Sequence, residues 1–226
     1  MANILVFSDT HLYLPFEQKK FDYLKKIIEP ADQVIINGDF FDGYMIKFED
    51  FVKSEWNKLF PLLKSKRAIY IYGNHDKKEF SDNRIGLFSN KQTYRLELKL
   101  NNKNFIFEHG QNLRKTPDLY IDFTKSYLTW LVSLTHLLHY FLTIIFKKKF
   151  LDLRYSWTNK ISKTRIKEQY GPKKSDFYVI GHNHFGEVDE KNHFACSGIN
   201  LYGFAQYLTI DSSTAKITFH EEWYER

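Results

Sequence analysis

Five short apolar runs rich in β-branched and aromatic residues recur along the chain, at residues 3–8 (NILVFS), 33–38 (QVIING), 68–73 (AIYIYG), 104–109 (NFIFEH) and 177–182 (FYVIGH). Runs of this kind read as strands buried on both faces. Between the first three, residues 16–29 and 47–65 repeat apolar side chains at spacings of three and four, the pattern of amphipathic helices. Strands alternating with helices predict βαβ units, a mostly parallel sheet and an α/β fold. Near the end, HFACSGIN, AQYLTID and AKITFHEEW predict short antiparallel strands, with a tight turn at Ser212–Ser213 closing a hairpin. Residues 111–175 interrupt the strand pattern with a largely helical, aromatic and basic insertion, expected to cap the core.

Each of the five runs ends in residues that bind metals. Asp9 and His11 follow the first, Asp39 and Asp42 the second, Asn74, His75 and Asp76 the third; His109 closes the fourth, and His182 and His184 the fifth. In open α/β sheets ligands bind at the carboxyl ends of the strands, so clusters far apart in sequence are expected to meet in one crevice. Asp oxygens, imidazole nitrogens and an amide oxygen without thiolates suit Mn, Fe or Zn rather than a structural cysteine site. A carboxylate shared by two ions about 3.5–4 Å apart would let the pair bind phosphoryl oxygens and acidify a water. Gly38, Gly73 and Gly181 fit tight strand exits beside such a site. Any one of these fragments alone reads more often as a turn than as a ligand set; five in order, each after a strand, read as a reaction centre.

Composition narrows the partners. The chain has 226 residues, enough for one α/β domain carrying an insertion, and a net charge of +6 that favours an anionic partner. Cys196 is the only cysteine, so no internal disulfide is expected. The opening MANILVFSDTHLYLP has no basic segment before its short apolar run, so no signal peptide is expected and a cytoplasmic location is the default.

The ordered series Asp9-Thr10-His11, Gly38-Asp39-Phe40-Phe41-Asp42, Gly73-Asn74-His75-Asp76, His109 and Gly181-His182-Asn183-His184 resembles the calcineurin-like metallophosphoesterase family over residues 3–110 and 176 to about 211. The resemblance implies a four-layer α-β-β-α sandwich, with residues 1–110 and 176–226 as the core and 111–175 as a helical cap insertion. It also implies two divalent metal ions, Mn first with Fe or Zn as alternatives. Asp9, His11, Asp39 and His184 would hold one, and Asp39, Asn74, His109 and His182 the other. His75 would stay off the metals, stabilising the phosphoryl charge or protonating the leaving oxygen, with Asp42 orienting it. Asp76 is placed no further than supporting the turn.

Residues 127–146 (YLTWLVSLTHLLHYFLTIIF), followed by Lys147, Lys148 and Lys149, are long enough to span a bilayer. A span would put residues 1–126 and 150–226 on opposite sides while His109 and His182 must share a site, so a cap is expected instead. With Arg154, Lys160, Lys163, Arg165 and Lys167 it fits either a hairpin packed on its own core or a surface that meets anionic head groups or an acyl substrate. His136 and His139 are read as buried or solvent-facing rather than as ligands. Within the family, such an insertion between the HG and GHxH strands resembles the UDP-2,3-diacylglucosamine hydrolases of lipid A synthesis, which implies pyrophosphate cleavage in an amphiphile, giving a lipid X-like sugar 1-phosphate and UMP, at the inner membrane face. Gln111 stands where that group carries Asp, and GHNHF replaces its GHTH followed by Pro.

The other readings are a phosphodiesterase or phosphatase acting on another nucleotide or phospholipid, a nuclease drawing on the basic balance, and a non-catalytic scaffold. A long apolar run is of no use in a nucleic-acid groove, so nucleic acid is not the expected partner. A scaffold would not need His75 and the seven matched ligands.

Overall fold

The computed structural model describes residues 2–114, 116 and 126–225; of the expected insertion, residues 115 and 117–125 lie outside the described residues. Strand β1 (Asn3–Phe7) sits inside a seven-stranded sheet, parallel to β2 (Gln33–Asn37), which is followed by β3 (Ile69–Ile71) and β4 (Lys91–Thr93), also parallel. On its other side β1 pairs antiparallel with β11 (Phe204–Asp211), which carries β10 (Asn200–Leu201) and β12 (Ile217–Trp223). A second sheet of five strands runs β5 (Arg95–Leu100), β6 (Lys103–Glu108), β7 (Asp176–Ile180), β9 (Phe194–Cys196) and β8 (Glu187–Asp189).

The two sheets pack face to face. Ile4, Val6, Ile35, Ile69 and Ile71 of the first meet Leu96, Phe105, Phe107, Phe177 and Val179 of the second in one buried cluster. Sheet-facing side chains on both sides explain why these strands read as unbroken apolar runs. The outer face of the first sheet is covered by α1 (Gln18–Ile28), α2 (Phe48–Lys53) and α3 (Phe60–Ser65), through a core that includes Leu24, Ile28, Phe51, Trp56 and Leu63. The expected single helix over 47–65 is broken because Ser54 is extended (φ −72°, ψ 170°) and a 3-10 turn follows at Glu55–Leu59. The outer face of the second sheet is covered by α6 (Thr158–Tyr170), whose Ile166 packs with Ile106, Tyr178 and Ile180. These are the four layers, α-β-β-α.

Two expectations are amended. The five apolar strands do not form one sheet: β6 and β7 belong to the second, with β1, β2 and β3 in the first. Phe194–Cys196 is parallel to β7 and antiparallel only to β8, whereas β11 and β12 form the expected hairpin.

The 111–175 stretch is of two kinds. Helix α6 belongs to the sandwich and ends at Gly171, which takes the left-handed conformation (φ 52°) that closes helices. Helix α4 (Ser126–Phe146) passes over the carboxyl ends of the strands and turns sharply through Lys147 (φ 52°) into α5 (Lys148–Tyr155). Its Leu128–Phe146 stretch is long and apolar enough to cross a membrane by length and composition, and only 6% of the most apolar window is buried.

Candidate metal centre

The strand exits bring all seven sequence-predicted ligands together. Three groups of donor atoms, Asp9/His11/His184, His11/Asp39/His75 and Asp39/His109/His182, each lie within 4.8 Å of one another. Asp9, His11, Asp39, Asn74, His109 and His182 are buried. Five of the seven ligands, Asp9, His11, Asp39, His182 and His184, have φ between 42° and 60°. Non-glycine residues pay about 1–3 kcal/mol for unfavourable backbone regions of this sort, and such residues cluster at functional sites. Tight exits also need the glycines: a Cβ on Gly73 would run into Asp39, and one on Gly38 (φ 88°) into the His109 ring.

Second partners aim the donor atoms inward, as metal sites require. Asp9 Oδ2 accepts from the Ser8 hydroxyl and the His182 N–H, which leaves Oδ1 facing His184 Nε2 at 3.1 Å. Asp39 Oδ1 accepts from the His75 N–H at 2.8 Å, leaving Oδ2 between His109 Nε2 at 3.1 Å and His11 Nε2 at 3.7 Å. His109 Nδ1 donates to the Asn37 carbonyl at 2.8 Å, and His182 Nε2 to that of Arg114 at 2.9 Å. Their other nitrogens converge on Asn74 Oδ1, at 3.0 and 2.8 Å. His11 Nδ1 meets Asp42 Oδ2 at 3.2 Å, while its buried Nε2 has no hydrogen-bond partner among the described residues. Carboxylate, amide and imidazole lone pairs converging in this way fit two divalent cations with Asp39 between them.

The charge state of the two central carboxylates suits that fit. Burial works to raise the pKa of Asp39, but His109 and His75 beside it hold it well below the usual range. Asp9 is likewise held down by His184 against its burial. Burial would lower His109, yet the Asp39 carboxylate carries it up to about 10, so that its Nε2 holds a proton which a bound cation would displace; burial and the neighbouring His109 push His182 down to about 3. Both central carboxylates therefore remain anionic at neutral pH.

His75 and Asp42 stand beside the ligands. His75 Nδ1 lies 3.1 Å from Asp42 Oδ1, and its side chain is 20% exposed, more than the buried ligands. Asp76 is fully buried and joins the two motif loops: Oδ1 accepts from the Gly73 N–H at 2.7 Å and Oδ2 from the Phe40 N–H at 2.6 Å.

Three residues at the site escaped the sequence reading. Lys20 is buried and donates to the Thr10 carbonyl, between Asp9 and His11, at 2.5 Å. Its signal was present, because positions 20, 23, 24, 27 and 28 form the buried face of α1 and a lysine on such a face needs a polar partner. Ser197 reaches the Ser8 hydroxyl at 2.7 Å and carries no pattern that marks it. His136 of α4, expected outside the metal ligands, has its Nε2 3.8 Å from Asp42 Oδ2, and burial pushes its pKa down to about 3.

Residues 2–186 match the family model described as calcineurin-like phosphoesterase. Among solved structures, a dimetal phosphatase from Danio rerio is similar with a TM-score of 0.53 and 12% identity, covering 99% of this chain and 96% of that one. A Vps29 variant from Entamoeba histolytica gives a TM-score of 0.50 and 11% identity, over 97% and 91% of the two chains. Likeness at such low identity extends to the fold. No curated protein matches the chain significantly.

Proposed function

The chain belongs to the calcineurin-like phosphoesterase family, and we propose that it cleaves a phosphoester or pyrophosphate bond in an amphiphilic substrate drawn from an anionic membrane surface. It is a metallophosphoesterase, a hydrolase of phosphoester bonds. In the proposed site Asp9, His11, Asp39 and His184 hold one divalent cation and Asp39, Asn74, His109 and His182 the other. Bound there, such cations supply charge neutralisation for the phosphoryl oxygens and a water acidic enough to attack near neutral pH. Asp42 holds His75 by Nδ1. His75 hydrogen-bonds the phosphoryl group and hands a proton to the departing oxygen.

One observation carries the amphiphile reading: α4 faces the site and solvent at once, mixing apolar and polar side chains toward the site and presenting apolar ones to solvent. Leu131, Val132, Thr135, His136 and His139 line a cavity of about 260 Å³ together with His11, His75 and His184. On the outer side Trp130, Leu134, Leu137, Leu138, Phe141 and Ile145 are exposed, followed by Leu153 and Trp157 of the next turns. An apolar patch of this extent is a docking surface for lipid, with each side chain that leaves water contributing about 1 kcal/mol. The basic residues expected to support it divide. Lys148 pairs with Glu221, Lys147 lies over the Trp223 ring, and Lys163 pairs with Glu187 and Asp189. Lys149 and Arg154 remain exposed beside the apolar turns.

UDP-2,3-diacylglucosamine is the reference substrate of this kind. The reading is tested by 31P NMR of the protein with Mn, offering that molecule, a soluble phosphomonoester and a cyclic nucleotide, each with and without anionic vesicles. Preferential loss of the pyrophosphate signals supports it. Faster turnover of either soluble compound, indifferent to vesicles, contradicts it.

A further inference from the structure

Three imidazoles gather around Asp42, and one of them comes from outside the motif series. His11 and His75 present Nδ1 to the two Asp42 oxygens at 3.2 and 3.1 Å. His136, reaching in from α4, places Nε2 3.8 Å from Oδ2, beyond hydrogen-bond length, so that Asp42 does not take up its N–H. Its ring stands edge-on to His11 and Tyr13, with centroids 6.1 and 5.9 Å away. Nδ1 lies 3.4 Å from the Tyr202 hydroxyl. Tyr202 itself has φ 59°, a backbone state that favours glycine, and its ring also meets His139 of α4 at 6.2 Å.

These contacts bear on the chemistry of the His136 ring. In the tautomer where the phenol donates to Nδ1, the imidazole hydrogen sits on Nε2, the atom turned toward Asp42 and the cavity shared with His75. Helix packing alone gives no reason for an imidazole here. Val132, His136, His139 and Thr143 follow one another at helical spacing on the less exposed side of α4, where an aliphatic side chain would fill the space without a polar tip to satisfy.

We propose that His136 is a substrate-contacting residue: its Nε2–H binds an oxygen of the phosphoryl or leaving group lodged beside His75, with Tyr202 as its positioning residue. The proposal rests on the phosphoesterase reading of the same site. It makes the site complete only when α4 is seated on Tyr202, so a substrate that engages α4 also brings in a donor for its own reacting group.

The test uses the Mn-loaded full chain and p-nitrophenyl phosphate or its bis ester, whichever the wild type cleaves. His136→Leu keeps the bulk and removes the donor; His136→Gln keeps an N–H at similar reach. A hydrogen bond to a charged oxygen in such a site gives roughly 10- to 100-fold in rate. The expected result is a loss of about 30-fold in kcat/KM for His136→Leu, recovery to within about 5-fold for His136→Gln, and an intermediate value for Tyr202→Phe, on the scale of one hydrogen bond. Mn uptake and melting temperature stay at the wild-type values. A His136→Leu enzyme within about 2-fold of wild type overturns the proposal, as does an equal loss in both His136 variants accompanied by a lower melting temperature, which is the mark of a packing role. A wild type without Mn-dependent hydrolysis of any phosphoester overturns the reading of the site itself, and the role of His136 with it.

Discussion

Asp42 Oδ1 lies 3.1 Å from His75 Nδ1, while the other oxygen of the same carboxylate holds His11 Nδ1 at 3.2 Å. One side chain thus orients a proposed metal ligand and the proposed proton donor. Replacing Asp42 with Asn keeps the shape but offers one acceptor where two are used. The expected outcome is a fall of about 100-fold in kcat/KM at saturating Mn and about 10-fold weaker Mn binding, since outer partners of metal-bound histidines carry effects of that size. Kinetics over a Mn titration separate the two; a change in neither would remove Asp42 from the account.

Asp76 is predicted to act on stability. Asp76→Ala leaves the Gly73 and Phe40 N–H groups unpaired in a buried loop. At about 1–3 kcal/mol per orphaned group, unfolding in urea should show a loss of roughly 2–6 kcal/mol. A loss below about 1 kcal/mol, less than one orphaned group, would mean that the loops are held by something else.

Lys20 is predicted to separate stability from function. Lys20→Met keeps the length, removing a buried charge and leaving the Thr10 carbonyl unpaired, two effects of opposite sign on stability. The Thr10 carbonyl loses its donor, so the turn carrying Asp9 and His11 should hold metal about 10-fold less tightly. Calorimetric Mn titration beside a thermal melt reads both. Unchanged affinity contradicts the positioning role.

For the outer face of α4, the triple change Leu134→Glu, Leu138→Glu and Phe141→Glu touches half-exposed side chains. Vesicle binding should fall by about 100-fold or more at about 1 kcal/mol per side chain, while soluble-substrate turnover persists. Co-sedimentation with anionic liposomes measures the first. Persistence of vesicle binding, or a change from dimer to monomer in place of lost binding, would make α4 something other than a lipid-facing helix.

Much of the site was legible in the sequence because its chemistry is local: each ligand follows an apolar strand, and the carboxyl ends of strands converge wherever the sheets stack. The strand partners were not, since an apolar run buried on both faces looks the same in either sheet, and β6 and β7 went to the second for this reason. Strands β4 and β5 were missed because their exposed lysines, arginine and glutamate break the apolar pattern. Asp76 was left without a task since its partners are backbone N–H groups, which no side-chain pattern reveals. The approach of His136 to Asp42 and Tyr202 is not legible, because they lie 94 and 66 residues away along the chain (136 − 42 and 202 − 136), a contact that only the path of α4 creates.

The central claim is a pair of cations sharing Asp39. Its most direct measurement is the bound Mn per chain, by elemental analysis after equilibrium dialysis, for the wild type and for Asp39→Asn. The account predicts about two ions per wild-type chain and loss of both at the same free Mn in the variant, because Asp39 Oδ2 faces both His11 and His109. Full occupancy in Asp39→Asn, or a wild type that takes up no metal, would contradict it.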